Sequence, residues 1–309
     1  MEDSYYYMKD LIFAFMLGTG EAEANALRLA HSIRAFGGVF CFNPIWMLSQ
    51  RSEDELPEAT RQGLFSLGVR LITFDMDPEA VYFPFADYVT AAGIAEGLVQ
   101  GETRFLVMMA KDTLVLQTPS ACLLPAGKSL GACPVHLKLL GSGFNDPIDE
   151  FWSLIYRLCH VELERIFPLQ TIVDEQLVRA YFNAGLLVVR PERGLLRAWQ
   201  ADFFNCYRMP EFEPFYMKNV LYDIFMHQAV LAGSILSSLK PEEFQQLPFE
   251  MNYPLHLHSE VADSRRPANL EQLITCRYED YDEFFGNPDV EGLIQIDKPL
   301  KDWLQDQFE

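Results

Sequence analysis

The first third of the chain alternates two hydrophobic patterns. "LIFAFML", Leu11 to Leu17, is an unbroken apolar run stopped by Gly18, the pattern of a strand buried on both faces. "EAEANALRLAHSIRAF" follows, with Ala26, Leu29, Ala30 and Ile33 at helical spacing and Gly37-Gly38 as its stop. "VFCF" (Val39 to Phe42) predicts a second strand, "SEDE" (Ser52 to Glu55) a capping box that opens a helix, and "VRLITF" (Val69 to Phe74) a third strand. A helix from about Pro84 to Val99 leads into the strand "RFLVMM". Such alternation predicts parallel βαβ units with helices on both faces of one sheet.

The second half is less regular. "SLGACPVH" reads as a strand, and "DPIDEFWSLIYRLCHV" as a helix with Pro147 early and Ile148, Phe151, Trp152, Ile155 and Leu158 on one face. "AGLLVVRP" is a strand ended by Pro191, and "GLLRAWQADFFNCY" and "NVLYDIFMHQAVLAGSIL" are helices. "NYPLHLH" alternates as a strand does, and "LITCRY" is a further short strand. There is no internal repeat and no linker-like stretch, so the expectation is one α/β domain over residues 1–309. Ligands of open α/β sheets bind at the carboxyl ends of parallel strands. That singles out Gly18-Thr19-Gly20, Asp75-Asp77 and Lys111-Asp112.

Charge narrows the partners. Lys and Arg total 24 against 44 Asp and Glu, a net −20. Such a field favours solubility and opposes nucleic-acid backbones and anionic membrane surfaces. A phosphorylated ligand would need local cations. The six cysteines are scattered with no C-x-x-C pair, which points to neither a zinc knuckle nor a redox motif and to a reducing, cytoplasmic compartment. The start has an acidic front and an apolar run too short to span a bilayer, so no targeting signal and no transmembrane helix are expected. Tyr5 to Tyr7 and Phe284-Phe285 either mark a protein-partner surface or pack on the body.

Several motifs bear on chemistry. "GTGEAE" lacks the third glycine of a dinucleotide loop, and "GKS" (Gly127 to Ser129) lacks the upstream glycine of a P-loop. His256 and His258 alternate in "NYPLHLH", with His136 as a third histidine on another strand. They are either the ligands of a metal-dependent hydrolase or packed side chains. His227 and Gln228 flank the apolar stripe of their helix, where His227 is either a general base or a satisfied core residue. Asn183 before Ala184-Gly185 either meets sugar hydroxyls or forms an Asx turn, and Gly185 permits close backbone approach.

Two stretches together resemble a family. "MMAKDTLVLQTPS" is similar to the strand–DxD–strand element of GT-A glycosyltransferases, the nucleotide-diphospho-sugar transferases, and "YFNAGLLVVRPERGLLRAW" (Tyr181 to Trp199) to their Phe-Asn-Ser/Ala-Gly strand and helix. The match resembles glycosyltransferase family 8 most, with "FMHQAVLAG" in place of its Asp-Gln-x-x-Leu-Asn helix and "LPFEMNYPLHLH" in place of its Leu-Pro…Tyr-Asn segment. The resemblance implies a three-layer α/β/α sandwich with a mostly parallel central sheet, residues 1–120 forming the nucleotide-binding half and 121–309 the sugar and acceptor half with the tail. It implies transfer of a sugar from a nucleotide-diphospho-sugar, with donor contacts from Thr19, Lys111, Asp112, Asn183, Gly185 and Arg277. His227 and Gln228 become the catalytic candidates.

The departures are specific. The first DxD aspartate is Ala110, Arg277 in "ITCRYED" stands where a metal-binding histidine is expected, and the Lys-Pro-Trp phosphate clamp is reduced to Lys298-Pro299 with Trp303 displaced. A Mn²⁺ or Mg²⁺ site would then have too few hard oxygen ligands. Either Lys111 and Arg277 supply the missing positive charge, or the chain is a degenerate relative that binds a nucleotide, sugar or protein without transfer.

Overall fold

The computed structural model describes residues 10–287 and 290–307. Tyr5 to Tyr7 lie outside them. The predicted alternation opens the chain: β1 (Leu11–Met16), α1 (Glu21–Phe36), β2 (Ile45–Ser49), α2 (Glu58–Ser66), β3 (Val69–Thr73), α3 (Ala86–Val99) and β4 (Phe105–Met109). Then come β5 (Thr113–Val115), β6 (Leu130–Pro134), α4 (Glu150–Leu158), and the short hairpin β7 (Pro168–Gln170) and β8 (Leu177–Arg179). β9 (Phe182–Val189), α5 (Leu195–Cys206), α6 (Glu213–Lys218), α7 (Leu221–Ser238), β10 (Phe244–Gln246), β11 (Tyr253–Pro254) and β12 (Thr275–Arg277) follow. Short helices over Tyr281–Phe285, Val290–Leu293 and Leu300–Asp306 close the described chain.

Seven strands form the central sheet in the order β10-β6-β9-β4-β1-β2-β3. All neighbours are parallel except the two pairs made by β9, which runs antiparallel between β4 and β6. Strand alternation sorts the apolar runs onto two faces. Ile12, Ala14, Leu106, Met108, Leu187 and Val189 pack against α3, α4, α5 and α7. Leu11, Phe13, Phe15, Phe105, Val107, Leu186 and Val188 pack against α1 and Leu64 of α2. Burial on both faces is why these strands read as unbroken apolar runs. The result is the expected three-layer α/β/α sandwich. A separate small sheet, β11-β12-β5, carries β5 antiparallel to β12 with Arg277 opposite Thr113. Among the described residues, no helix is long and apolar enough to cross a membrane.

Four elements differ from the sequence expectation, the first being that the "SEDE" capping box closes only a 3-10 turn over Glu53–Glu55, with α2 starting afterwards at Glu58. "VFCF" is not a strand; Gly38–Phe40 is a 3-10 turn, and the strand starts at Ile45. Arg34 takes the carbonyls of Cys41 (2.7 Å) and Asn43 (2.9 Å), so these groups are not offered to a sheet ladder. The helix expected from Asp146 is shorter: Asp149 caps it by accepting from the Trp152 N–H at 2.9 Å, leaving Pro147 outside. "NYPLHLH" pairs only at Tyr253–Pro254 and then coils into 3-10 turns over Leu255–Glu260. Asn252 enters left-handed at φ 55°, and Pro254 has no N–H to donate to a ladder. His256 and His258 therefore do not share a strand face. Phe285 is buried against Tyr278 and Tyr281 rather than exposed. Lys298 forms an ion pair with Asp302 (3.2 Å), and Trp303 packs on Phe36.

Candidate active site

A cavity of about 420 Å³ opens where β1 and β4 end and β9 begins. Because β9 is antiparallel, its first residues lie at the same sheet edge as the carboxyl ends of its neighbours. The Ala110 N–H donates to the Gly185 carbonyl at 2.8 Å, which joins the two segments. Lys111, Asp112, Asn183, Gly185, His227, Gln228 and Arg277 all line this cavity. Thr19 does not; it is exposed beside Gly18, which does. Asp75 and Asp77 are exposed, and Asp77 pairs with Arg208 at 2.7 Å.

The floor is built by hydrogen bonds to the β9 backbone. The Asn183 Oδ1 accepts from the Gly185 N–H at 2.8 Å, an Asx-type contact, so its Nδ2 is the group available to a ligand. Gln228 Oε1 accepts from the Ala184 N–H at 3.0 Å, and the Tyr88 hydroxyl donates to the Ala184 carbonyl at 2.7 Å. Gln228 is thus a strut of the wall as well as a lining residue.

Asp112 and Arg277 are 165 residues apart in sequence and paired in space. The pairing of β5 with β12 brings them together. Arg277 donates from Nε (3.0 Å) and Nη2 (2.5 Å) to the same oxygen, Asp112 Oδ2. Burial works against the Arg277 charge, but Asp112, with Tyr88 and Glu279 adding to it, outweighs burial and raises its pKa. The guanidinium lies directly over Gly185: a Cβ there would sit 2.4 Å from Arg277 Nη1 and 2.8 Å from Asn183 Oδ1. Glycine is required for this close approach. Lys111 is half-buried and makes no ion pair among the described residues.

Three imidazoles also line the wall. Burial pushes His136 down to about 3, and Arg277 and His256 add to the effect; its Nε2 meets the Asn252 carbonyl at 3.0 Å. Burial likewise pushes His227 to about 3; its Nδ1 donates to the Ile224 carbonyl at 2.8 Å, and its ring stacks on Phe85 at 4.2 Å. Held neutral so firmly, His227 is a weak proton acceptor, which favours the packed alternative over the general base. His256 lies 3.7 Å from the Glu279 carboxylate. His258 is not on the wall; its Nδ1 meets the Tyr253 hydroxyl at 2.9 Å.

A divalent cation does not fit this residue set. Among the described residues, no three of His, Cys, Asp and Glu converge as ligands. The one DxD carboxylate present is already held by Arg277. Sequence reasoning had not found Glu279, Phe85, Asp87 or Tyr88. Glu279 and Phe85 hold left-handed backbone, φ 64° and 60°, which no composition or periodicity reveals.

A sandwich of this topology, with a cavity at the strand ends, has a GT-A-like glycosyltransferase fold. The chain belongs to the family described as the Rhodobacterales glycosyltransferase domain, whose model matches residues 13–218. No curated protein matches it in sequence. Among solved structures it is similar to the glycosyltransferase GlyE of Streptococcus pneumoniae TIGR4, with TM-score 0.52 and 13% identity over 97% of this chain and 60% of that one. The chain thus spans about 60% of the length of GlyE. It is also similar to the galactosyltransferase LgtC (TM-score 0.45, 15% identity, 88% of this chain and 87% of that one). Mouse xyloside xylosyltransferase 1 gives TM-score 0.43 and 12% identity over 87% of this chain and 97% of that one. The fold assignment rests on GlyE.

Proposed function

We propose that the protein transfers a sugar from a nucleotide-diphospho-sugar without a divalent cation, residues 1–309 acting as one GT-A-like unit. The observation that carries this reading is the Arg277 guanidinium, which lies over Gly185 and against Asp112 in the cavity. The resemblance to family 8 puts a metal-binding histidine at that position. The diphosphate leaving group gains negative charge as the glycosidic bond to it breaks, and fixed cations stabilise that charge. Lys111 supplies the unpaired ammonium and Arg277 the second cation. The Asn183 Nδ2 and Gln228 hold sugar hydroxyls, and Asp112 holds a ribose or sugar hydroxyl.

A second reading has one observation in its favour. The wall carries two cations (Lys111, Arg277) against three carboxylates (Asp87, Asp112, Glu279), a net of 2 − 3 = −1. Such a wall suits a degenerate member that binds a neutral sugar or a protein segment without transfer.

Thermal-shift titration with UDP, GDP and their sugars, with and without Mn²⁺, separates the two, because a ligand of the native state stabilises it by mass action. The transferase reading expects a metal-independent shift with one nucleotide that is lost in Lys111→Ala. A shift seen only with Mn²⁺ refutes metal independence. No shift with any of them favours the degenerate reading.

A further inference from the structure

We propose that His256, supported by Glu279, takes the proton from the acceptor hydroxyl during transfer. This rests on the transferase reading above. All three imidazoles on the wall meet a backbone carbonyl, of Asn252, Ile224 and Arg277 respectively for His136, His227 and His256, so the carboxylate neighbour is what separates them. Among the described residues, His256 is the one histidine with a carboxylate within ion-pair distance.

The geometry suits a base. His256 Nδ1 is 3.4 Å from the Arg277 carbonyl. A carbonyl only accepts, so Nδ1 carries the hydrogen and Nε2 keeps its lone pair. Nε2 is 3.7 Å from Glu279 Oε1, too far for a direct hydrogen bond yet close enough to stabilise an imidazolium. The separation leaves Nε2 open to an incoming hydroxyl. The placement is fixed by sheet pairing, since Pro254 of β11 is opposite Arg277 of β12. Arg277 therefore holds the base through its carbonyl and faces Asp112 with its guanidinium.

Charges around the imidazole oppose one another. Burial and Arg277 lower its proton affinity, Glu279 and Asp112 raise it, and the His136 ring is 6.1 Å away. The net lowering leaves His256 neutral at pH 7, the form that accepts a proton. In the step, the acceptor O–H bond breaks and its proton goes to His256 Nε2. The acceptor oxygen forms a bond to the anomeric carbon. The bond from that carbon to the donor phosphate oxygen breaks, and its electron pair leaves on the nucleotide.

The test compares wild type with His256→Gln and Glu279→Gln. Nucleotide binding is read by thermal shift with UDP and GDP. Turnover is read as nucleotide release from UDP- and GDP-hexoses in the presence of mono- and disaccharide acceptors, from pH 5 to 9. His256→Gln is expected to bind nucleotide as wild type does and to lose about 10²–10⁴-fold in kcat. Glu279 is largely exposed (66%), so its substitution leaves folding intact. Loss of its carboxylate lowers the imidazole's proton affinity, so the acid limb of kcat/KM moves to lower pH. His256→Gln turning over within threefold of wild type overturns the proposal, as does a change confined to KM. Wild type that binds nucleotide but turns over no donor overturns the base and leaves the donor site standing. Wild type that binds neither nucleotide overturns both.

Discussion

Asp112→Asn is the most informative perturbation of the cavity floor. It removes the charge and keeps the shape, leaving Arg277 without its partner. Two charge-assisted hydrogen bonds converge on Asp112 Oδ2, at 3.0 and 2.5 Å. Such bonds contribute roughly 1.5–3 kcal/mol each, and removing one member of a fully buried pair costs about 3–5 kcal/mol. The side chains here are 20% and 14% exposed, so water screens part of that. Asparagine also keeps one acceptor oxygen. The expected loss is about 2 kcal/mol for Asp112→Asn and about 3 kcal/mol for Asp112→Ala. With an unfolding entropy near 2.1 cal/mol/K per residue, 309 residues give about 0.65 kcal/mol/K. The Tm should therefore fall by about 3 °C and about 5 °C by scanning calorimetry. Arg277→Met added to Asp112→Ala should recover part of the loss, because the orphaned charge is gone. Both single variants within 1 °C of wild type, or no recovery in the double variant, would refute the pair as a stabilising element.

Gly185→Ala forces a methyl group to within 2.4 Å of Arg277 Nη1; it should displace the guanidinium, cost about 1–3 kcal/mol in urea unfolding and reduce the nucleotide thermal shift. The buried histidines predict acid sensitivity. His136 and His227 are depressed to about 3 when folded, against about 6.5 unfolded, so as pH falls below about 6.5 the unfolded chain binds protons the native state refuses. Each should remove about 1.4 kcal/mol per pH unit between roughly pH 6 and 3.5. Urea midpoints measured from pH 7 to 4 should fall less steeply in His227→Gln than in wild type.

The sheet was legible because its strands are buried on both faces, and continuous runs such as "LIFAFML" and "RFLVMM" have few other uses. The small elements were not. "VFCF" lost its strand to a side-chain contact from Arg34, and "NYPLHLH" lost its own to Asn252 and Pro254. The candidate site was legible in its segments, since Lys111, Asp112, Asn183, Gly185, His227, Gln228 and Arg277 fall on one cavity. Its connections were hidden. No spacing rule places Arg277 on Asp112, or makes Glu279 a neighbour of His256, because both depend on strand pairing and left-handed backbone far along the chain.

The antiparallel insertion of β9 and the late pairing of β12 with β5 have a kinetic consequence. The residues of the cavity run from Met16 to Glu279, 263 positions apart, so long loops must close before its distant members face each other. The family match ends at residue 218, while Gln228, His256, Arg277 and Glu279 all lie beyond it. A chain emerging from the ribosome can thus assemble much of the sandwich while still lacking a closed pocket. In this architecture the full wall of the cavity is acquired only when the segments carrying Gln228, His256, Arg277 and Glu279 have docked, so a ligand of that cavity finds its complete set of contacts in the final stage of folding.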